Sequence, residues 1–272
     1  MKGINMAELG NEAVTVETRG NVMLITINRP EARNAVNRFV HEGVGDALEA
    51  ADKDPEIRVV IVTGAGDKSF CAGADLVALS RGESLAPDDK TKAAWGFAGI
   101  VSHAISKPVI AAVNGMALGG GLEITLACDL AVAVDEAKFG LPEPKRGLFA
   151  AAGGVFRLPE QLPKKIAMEM ILTGDPIDAN RALELGLINA VAPREQLLDT
   201  AFALAERIAV NAPLSVQASK RMAQGISDGK VVREEAAWAQ NREETKIVFT
   251  SEDSREGPKA FAEKRAPVWK AR

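Results

Sequence analysis

Four short apolar runs do most to restrict the folds open to this chain: Val22–Ile27, Val59–Val62, Val109–Val113 and Leu130–Val134. Each is apolar on both faces, which suits a strand covered on both sides. Helical or glycine-rich stretches separate them. The clearest helix runs from Asn37 to about Ala51, with Phe39, Val40, Val44, Ala47 and Leu48 on one side and Pro55 beyond its end. This strand–helix rhythm predicts an α/β core.

After about Glu195 the pattern changes. Leu197, Leu198, Ala201, Leu204, Ala205 and Ile208 recur at helical spacing, and Pro213 opens a second helix. A third covers about Val231 to Phe249, and Pro258 suits the first turn of a last short one. No strand-like run follows Val191. The reading divides the chain into a core over 1–206 and a helical region over 207–272. That region carries Trp238, Ile247, Val248, Phe249, Phe261, Val268 and Trp269, more apolar surface than so small a unit can bury alone. It is expected to pack on the core or on a neighbouring subunit. Arg81 to about Lys92 is the least structured stretch and reads as a functional or mobile loop.

Composition excludes several classes. A chain of 272 residues with a net charge of −4 lacks the basic face that nucleic acid requires, and without tyrosine it has few rings on which bases could stack. Cys71 and Cys128 are far apart and no close-spaced Cys/His set exists, so no metal site is expected and both cysteines read as buried free thiols. His41 and His103 are isolated and are assigned to the surface or a helix end. Met1–Met6 lacks an apolar signal core and no segment is long enough to span a bilayer, so a cytoplasmic protein with no membrane partner is expected.

The chemistry concentrates in two carboxylates. Glu123 follows Ala117-Leu118-Gly119-Gly120-Gly121-Leu122, and Glu143 lies in Phe139-Gly140-Leu141-Pro142-Glu143. An acid at the edge of an apolar stretch is costly to bury unless it is bonded or its pKa shifts. The three glycines lead from a strand into an apolar helix. They serve either a tight packed turn or a backbone approach to ligand, where free N–H groups at the helix start favour developing negative charge. Ser69-Phe70-Cys71-Ala72-Gly73-Ala74-Asp75-Leu76 is a second small-residue loop, ending in a possible cap. Alone it reads as a plain turn; with the glycine loop it supplies a second donor to one oxyanion. Thr63-Gly64-Ala65-Gly66 lacks the third glycine and the following helix of a dinucleotide site.

Three segments together resemble the crotonase (enoyl-CoA hydratase/isomerase) superfamily: Asn28-Arg29-Pro30-Glu31-Ala32-Arg33-Asn34-Ala35, Phe70 to Leu76, and Ala111 to Asp129. The similarity continues through Leu172-Thr173-Gly174 and Gly186-Leu187-Ile188 to the tail. It implies a spiral of ββα units ending in a helical trimerisation region, assembled as a trimer or a dimer of trimers and acting on acyl-CoA thioesters. By motif alignment the oxyanion donors fall on the N–H groups of Ala74 and Gly120, and the catalytic acids on Glu123 and Glu143. Ala72, Asp75, Leu76 and Gly119 flank those donors at the acyl-CoA site. Arg33 and Ala35 align with the loop lining the CoA site, and Phe261 and Lys264 with the tail that closes over its nucleotide end.

The resemblance implies an enoyl-CoA hydratase, a hydro-lyase that adds water to trans-2-enoyl-CoA. Glu123 would activate water for attack at Cβ and Glu143 would protonate Cα. Coenzyme A enters as part of the substrate, and no further cofactor is expected. Two features depart from typical hydratases. Ala150-Ala151 stands where they carry Pro-Gly, and the tail from Ser251 to Lys270 is more similar to carnitinyl-CoA dehydratase-type members. Dehydration of a polar 3-hydroxyacyl-CoA, isomerisation, and silent acyl-CoA binding are the alternatives.

Overall fold

A computed structural model describes residues 9–272; the Met1–Met6 segment assessed above lies outside them. The strands are β1 (Gly10–Asn11), β2 (Val14–Arg19), β3 (Val22–Ile27), β4 (Val59–Gly64), β5 (Ser69–Cys71), β6 (Val109–Val113), β7 (Met116–Leu118), β8 (Leu130–Val134), β9 (Lys138–Gly140), β10 (Ile177–Asp178) and β11 (Ala190–Ala192). They form two sheets, ordered β1-β2-β3-β4-β6-β8-β11 and β10-β9-β7-β5. β1, β2 and β3 pair antiparallel, and β3 onward is parallel. Three consecutive strand pairs, β4/β5, β6/β7 and β8/β9, each give their first member to the large sheet and their second to the small one. That repeated step is the ββα spiral expected from the resemblance.

The helices are α1 (Arg38–Lys53), α2 (Leu76–Ser80), α3 (Lys90–Ala93), α4 (Gly120–Ala127), α5 (Gly154–Gln161), α6 (Lys164–Thr173), α7 (Ala179–Glu184) and α8 (Leu197–Ala209). Beyond them lie α9 (Pro213–Gln224), α10 (Glu235–Thr250) and α11 (Glu252–Ala262). Asn37 caps α1 by accepting from the Val40 N–H, which fixes the start read from sequence. Every residue of β4 is buried, including Thr63, whose hydroxyl donates to the Ala112 carbonyl at 2.7 Å. Such a bond removes the cost of a polar group between two layers.

Two asparagines hold the point where the chain leaves one sheet for the other. Asn34 donates to the Ala65 and Ser69 carbonyls and accepts from the Arg29 N–H; Asn114 accepts from Gly64 N–H and donates to Gly66 and Ser69 carbonyls. They bind together the loops that follow β3, β4 and β6, and hence the rim on which the site is built.

Three expectations need correction. A short hairpin, β12 (Ile226–Ser227) with β13 (Lys230–Val231), follows α9, so strand pairing does occur past Val191; a two-residue strand carries no periodicity to read. The last helix starts at Glu252, capped by the Ser251 hydroxyl, and Pro258 lies inside it. His41 and His103 are buried: His41 Nε2 meets the Lys92 carbonyl, and His103 stacks on Trp95 with Nε2 3.1 Å from Glu49. Burial pulls both imidazoles below the ordinary histidine range. The Arg81–Lys92 stretch is turns and bends up to the start of α3, as read, with Arg38–Asp88 and Lys92–Asp46 ion pairs at its end. The expectation for cysteine holds, since Cys71 and Cys128 are buried free thiols.

Candidate active site

The loop Arg29–Val36 lies along the loop after β5. The Ala72 N–H donates to the Arg33 carbonyl, Val36 N–H to Gly73 carbonyl, and Asp75 N–H to Val36 carbonyl. This zipper brackets Ala74 and leaves its own N–H without an acceptor among the described residues. The Asp75 carboxylate is committed locally. It caps α2 through the Val77 and Ala78 N–H groups and pairs with Arg29 at 2.9 Å, while Arg29 also donates to the Ala35 carbonyl. Its burial would raise its pKa, but the Ala78 N–H and the Arg29 guanidinium hold it below the usual range. Asp75 and Ala35 thus act on the site by fixing the loop that presents Ala74, while Ala72 and Leu76 are exposed beside it.

The three glycines each answer a different contact. Gly119 has φ +56°, and its N–H donates to the Gly140 carbonyl. A Cβ on Gly120 would come within 2.3 Å of the Phe97 ring, and one on Gly121 within 2.0 Å of the Cys71 carbonyl oxygen. Gly121 therefore lets α4 lie against β5, and Gly73 and Gly120 face each other across the narrow gap that results. Gly120 opens α4, and its N–H has no acceptor among the described residues. Two free backbone donors on adjoining loops are what an oxyanion requires.

Glu123, one turn into α4, is almost fully buried at 3% exposure, and its Oε1 accepts from Gly154 N–H at 2.9 Å. Burial is the main cause that pushes it up to about 8; the neighbouring Glu143 charge adds to this, and the Gly154 and Ala152 N–H groups and Arg157 oppose it. Glu143 lies in a short helical turn after β9. Burial pushes it up to about 7, and among the described residues its buried Oε2 has no hydrogen-bond partner. The Glu143 charge is one cause of the Glu123 shift, so the two carboxyls titrate as interacting groups. Raised carboxyl pKa values and an orphaned buried oxygen make this the candidate site for proton transfer.

Sequence reasoning missed Phe97. It projects from a loop with left-handed backbone at Gly96, Ala98 and Gly99 and lies against Gly120. Nothing in its local pattern marks it. Arg33 is exposed, and among the described residues it has no ion pair. Phe261 stands by the Glu143 turn: Arg146 lies 3.9 Å above its ring, and Gly257 abuts the Arg146 carbonyl. Lys264 follows the end of α11 and donates its N–H to the Phe261 carbonyl. A cavity of about 1160 Å³ lies elsewhere, between the core and the C-terminal helices, with neither glutamate in its wall. Charge and geometry, not volume, locate the chemistry.

The pattern of the enoyl-CoA hydratase/isomerase family matches residues 17–272. The chain belongs to that family, the crotonases. A carnitinyl-CoA dehydratase of Proteus mirabilis is 42% identical over 96% of this crotonase and 100% of its own length, and one of Salmonella typhi matches equally. The crystal structure of a carnitinyl-CoA hydratase from Mycobacterium avium is 61% identical with a TM-score of 0.94, covering 96% of this chain and 100% of that one. An enoyl-CoA hydratase from Mycobacterium tuberculosis H37Rv is 45% identical, with a TM-score of 0.74 over 96% of this chain and 100% of that chain. All share the fold just described.

Proposed function

We propose that this crotonase is a hydro-lyase that moves water reversibly across the C2–C3 bond of a CoA thioester. The observation that carries this is the pair of glutamates with raised pKa values beside two backbone N–H groups that have no acceptor among the described residues. The thioester oxygen sits between the Ala74 and Gly120 N–H groups, which take up charge as the Cα–H bond breaks. In hydration Glu123 takes a proton from water as its oxygen bonds to Cβ, and Glu143 delivers a proton to Cα. Dehydration is the same path reversed: Glu143 removes the Cα proton and Glu123 protonates the departing hydroxyl. Each glutamate ends in the state the other direction needs, so the chemistry asks for no further cofactor. Donors of this kind are worth ~3–4 kcal/mol each.

A second reading concerns the substrate. Relatives named for carnitinyl-CoA support a polar 3-hydroxyacyl group over a plain alkyl one. The test is turnover, followed by absorbance of the conjugated enoyl thioester, on crotonyl-CoA against a polar 3-hydroxyacyl-CoA carrying a quaternary ammonium. Comparable kcat/KM on both would remove the polar preference, and inactivity on every enoyl or hydroxyacyl thioester would remove the hydro-lyase reading.

Assembly follows the same reading. Val210, Leu214, Met222, Ile247 and Val268 stand exposed along the C-terminal region, and three copies burying these faces fit the apolar excess. Among the described residues no helix is long and apolar enough to cross a membrane.

A further inference from the structure

The inward residues of the α10 segment are Glu234, Ala237, Trp238, Asn241, Thr245 and Val248, one helical stripe. Its first half does not simply pack on the core. It reaches the loop that holds Glu123, at residues 150–154, in two places, and meets α5 at a third. Asn241 Nδ2 donates to the Ala151 carbonyl at 2.8 Å. The Trp238 ring stands edge-on to Phe156 and closes over Gly153. Glu234 receives Arg157 in a two-pronged pair, Nε to Oε1 at 2.9 Å and Nη2 to Oε2 at 2.7 Å, and also accepts from Trp238 Nε1.

Arg157 is the link. It lies one turn along α5 from Gly153 and Gly154, and Gly154 supplies the N–H that holds Glu123. Its Nη2 also donates to the Val101 carbonyl, on the stretch that presents Phe97 to Gly120. Both members of the pair are over nine-tenths buried, and among the described residues the buried Arg157 Nη1 and Asn241 Oδ1 have no partner. A buried ion pair is a poor source of stability, because desolvation offsets the attraction. Its use is geometric: a planar fork fixes direction in a way apolar packing does not.

We propose that the Glu234–Trp238–Asn241 face, acting through Arg157, is a positioning device for Glu123, so that the seating of the C-terminal region sets the acid–base geometry of the core. This rests on the reading of Glu123 as a proton-transfer group. The charged groups facing Glu123 are Glu143 and Arg157. Arg157 in turn faces Glu123, Glu234 and the Cys128 thiol, with the Asp129–Lys220 pair beyond it and Glu160, Arg233 and Arg242 along the same cleft.

The experiment compares Glu234→Gln, Asn241→Ala and Glu123→Gln in the full-length chain, with crotonyl-CoA or the best thioester found. Losing a held geometry should lower kcat about tenfold in Glu234→Gln and Asn241→Ala with KM unchanged. Glu234→Gln should also move the pH limb set by Glu123 to lower pH, because Arg157 then acts on Glu123 uncompensated. A kcat within twofold of wild type, or a loss of kcat with an unmoved limb, overturns the proposal. Breaking half of a buried pair can unfold a protein. The double variant Arg157→Met/Glu234→Met, which removes the fork but can pack, covers that case: wild-type kcat in it overturns the proposal, and a tenfold loss with intact circular dichroism supports it. Full turnover in Glu123→Gln would instead strike the underlying site reading, which separates the two failures.

Discussion

Glu143 stands directly against Gly119, so closely that a Cβ on the glycine would lie 2.9 Å from Oε1. The left-handed φ of +56° there also disfavours any side chain. Gly119 thus does two things: it turns the chain into α4 and leaves the space the carboxyl occupies. Gly119→Ala should displace Glu143 and lower kcat by about 10–100-fold, in line with sub-ångström misplacement of a reacting group. Unaltered turnover in that variant would show that Glu143 has room to reposition without consequence.

The glutamates themselves should be indispensable to turnover but not to binding. Glu123→Gln and Glu143→Gln each keep the volume and most hydrogen bonds while removing the transferable proton. Each should lower kcat at least ~100-fold. Isothermal titration with a saturated acyl-CoA should still report binding, and a variant that turned over normally would leave the mechanism.

Stability should carry the mark of Glu123 as well. Its folded pKa of about 8 lies above the ordinary carboxyl value, so the folded chain keeps a proton the unfolded chain has lost. The contribution is fully present below the unfolded pKa of about 4.3 and is lost as pH rises through 8. Glu143, raised to about 7, acts in the same direction. Glu123→Gln never ionises, so its melting temperature should exceed wild type at pH 8.5, with the gap closing towards pH 4.5. A gap that widened towards acid would mean the carboxylate is stabilised in the fold.

The parts legible in sequence were those with local causes. Runs such as Val59–Val62 announce buried strands, Asn37 and Asp75 announce caps, and an isolated acid such as Glu123 after glycines announces a costly burial. The two-sheet spiral came from resemblance; no periodicity says that β4 and β5 belong to different sheets. Phe97, Arg157 and Glu234 were silent because their roles depend on partners 23, 77 and 77 residues away in the chain. Pro258 misled because a proline marks a helix start more often than an interior, and the Ser251 cap seven residues earlier outweighed it.

Gly120 separates steric from electronic causes. With Phe97 Cε1 only 2.3 Å from the site of an added Cβ, Gly120→Ala must move the ring or the loop. It should lower kcat at least ~10-fold while the fold survives. Phe97→Ala in the same chain removes the obstacle and should restore part of the loss. Gly120→Pro deletes the N–H and should not be rescued by Phe97→Ala, since an oxyanion donor is worth ~10²–10³ in kcat. Equal rescue of both would mean the Gly120 N–H does not face the thioester oxygen.

Arg33 allows a clean test of the CoA contact because its backbone and side chain have separate jobs. The carbonyl holds the Ala72 N–H, and the φ of +53° is strained for arginine and alanine alike. Arg33→Ala therefore removes the guanidinium without changing the loop's conformational cost. An exposed cation with no ion pair among the described residues is free to meet a phosphate, and a hydrogen bond to a charged group contributes ~1.5–3 kcal/mol. KM for a CoA thioester should rise about tenfold or more with kcat little changed, because the contact is alike in ground and transition states. With a pantetheine thioester, which lacks the nucleotide phosphates, wild type and Arg33→Ala should have the same KM. A KM for the CoA thioester unchanged by the substitution would place Arg33 away from the bound nucleotide, and an equal rise on both substrates would trace the effect to the loop.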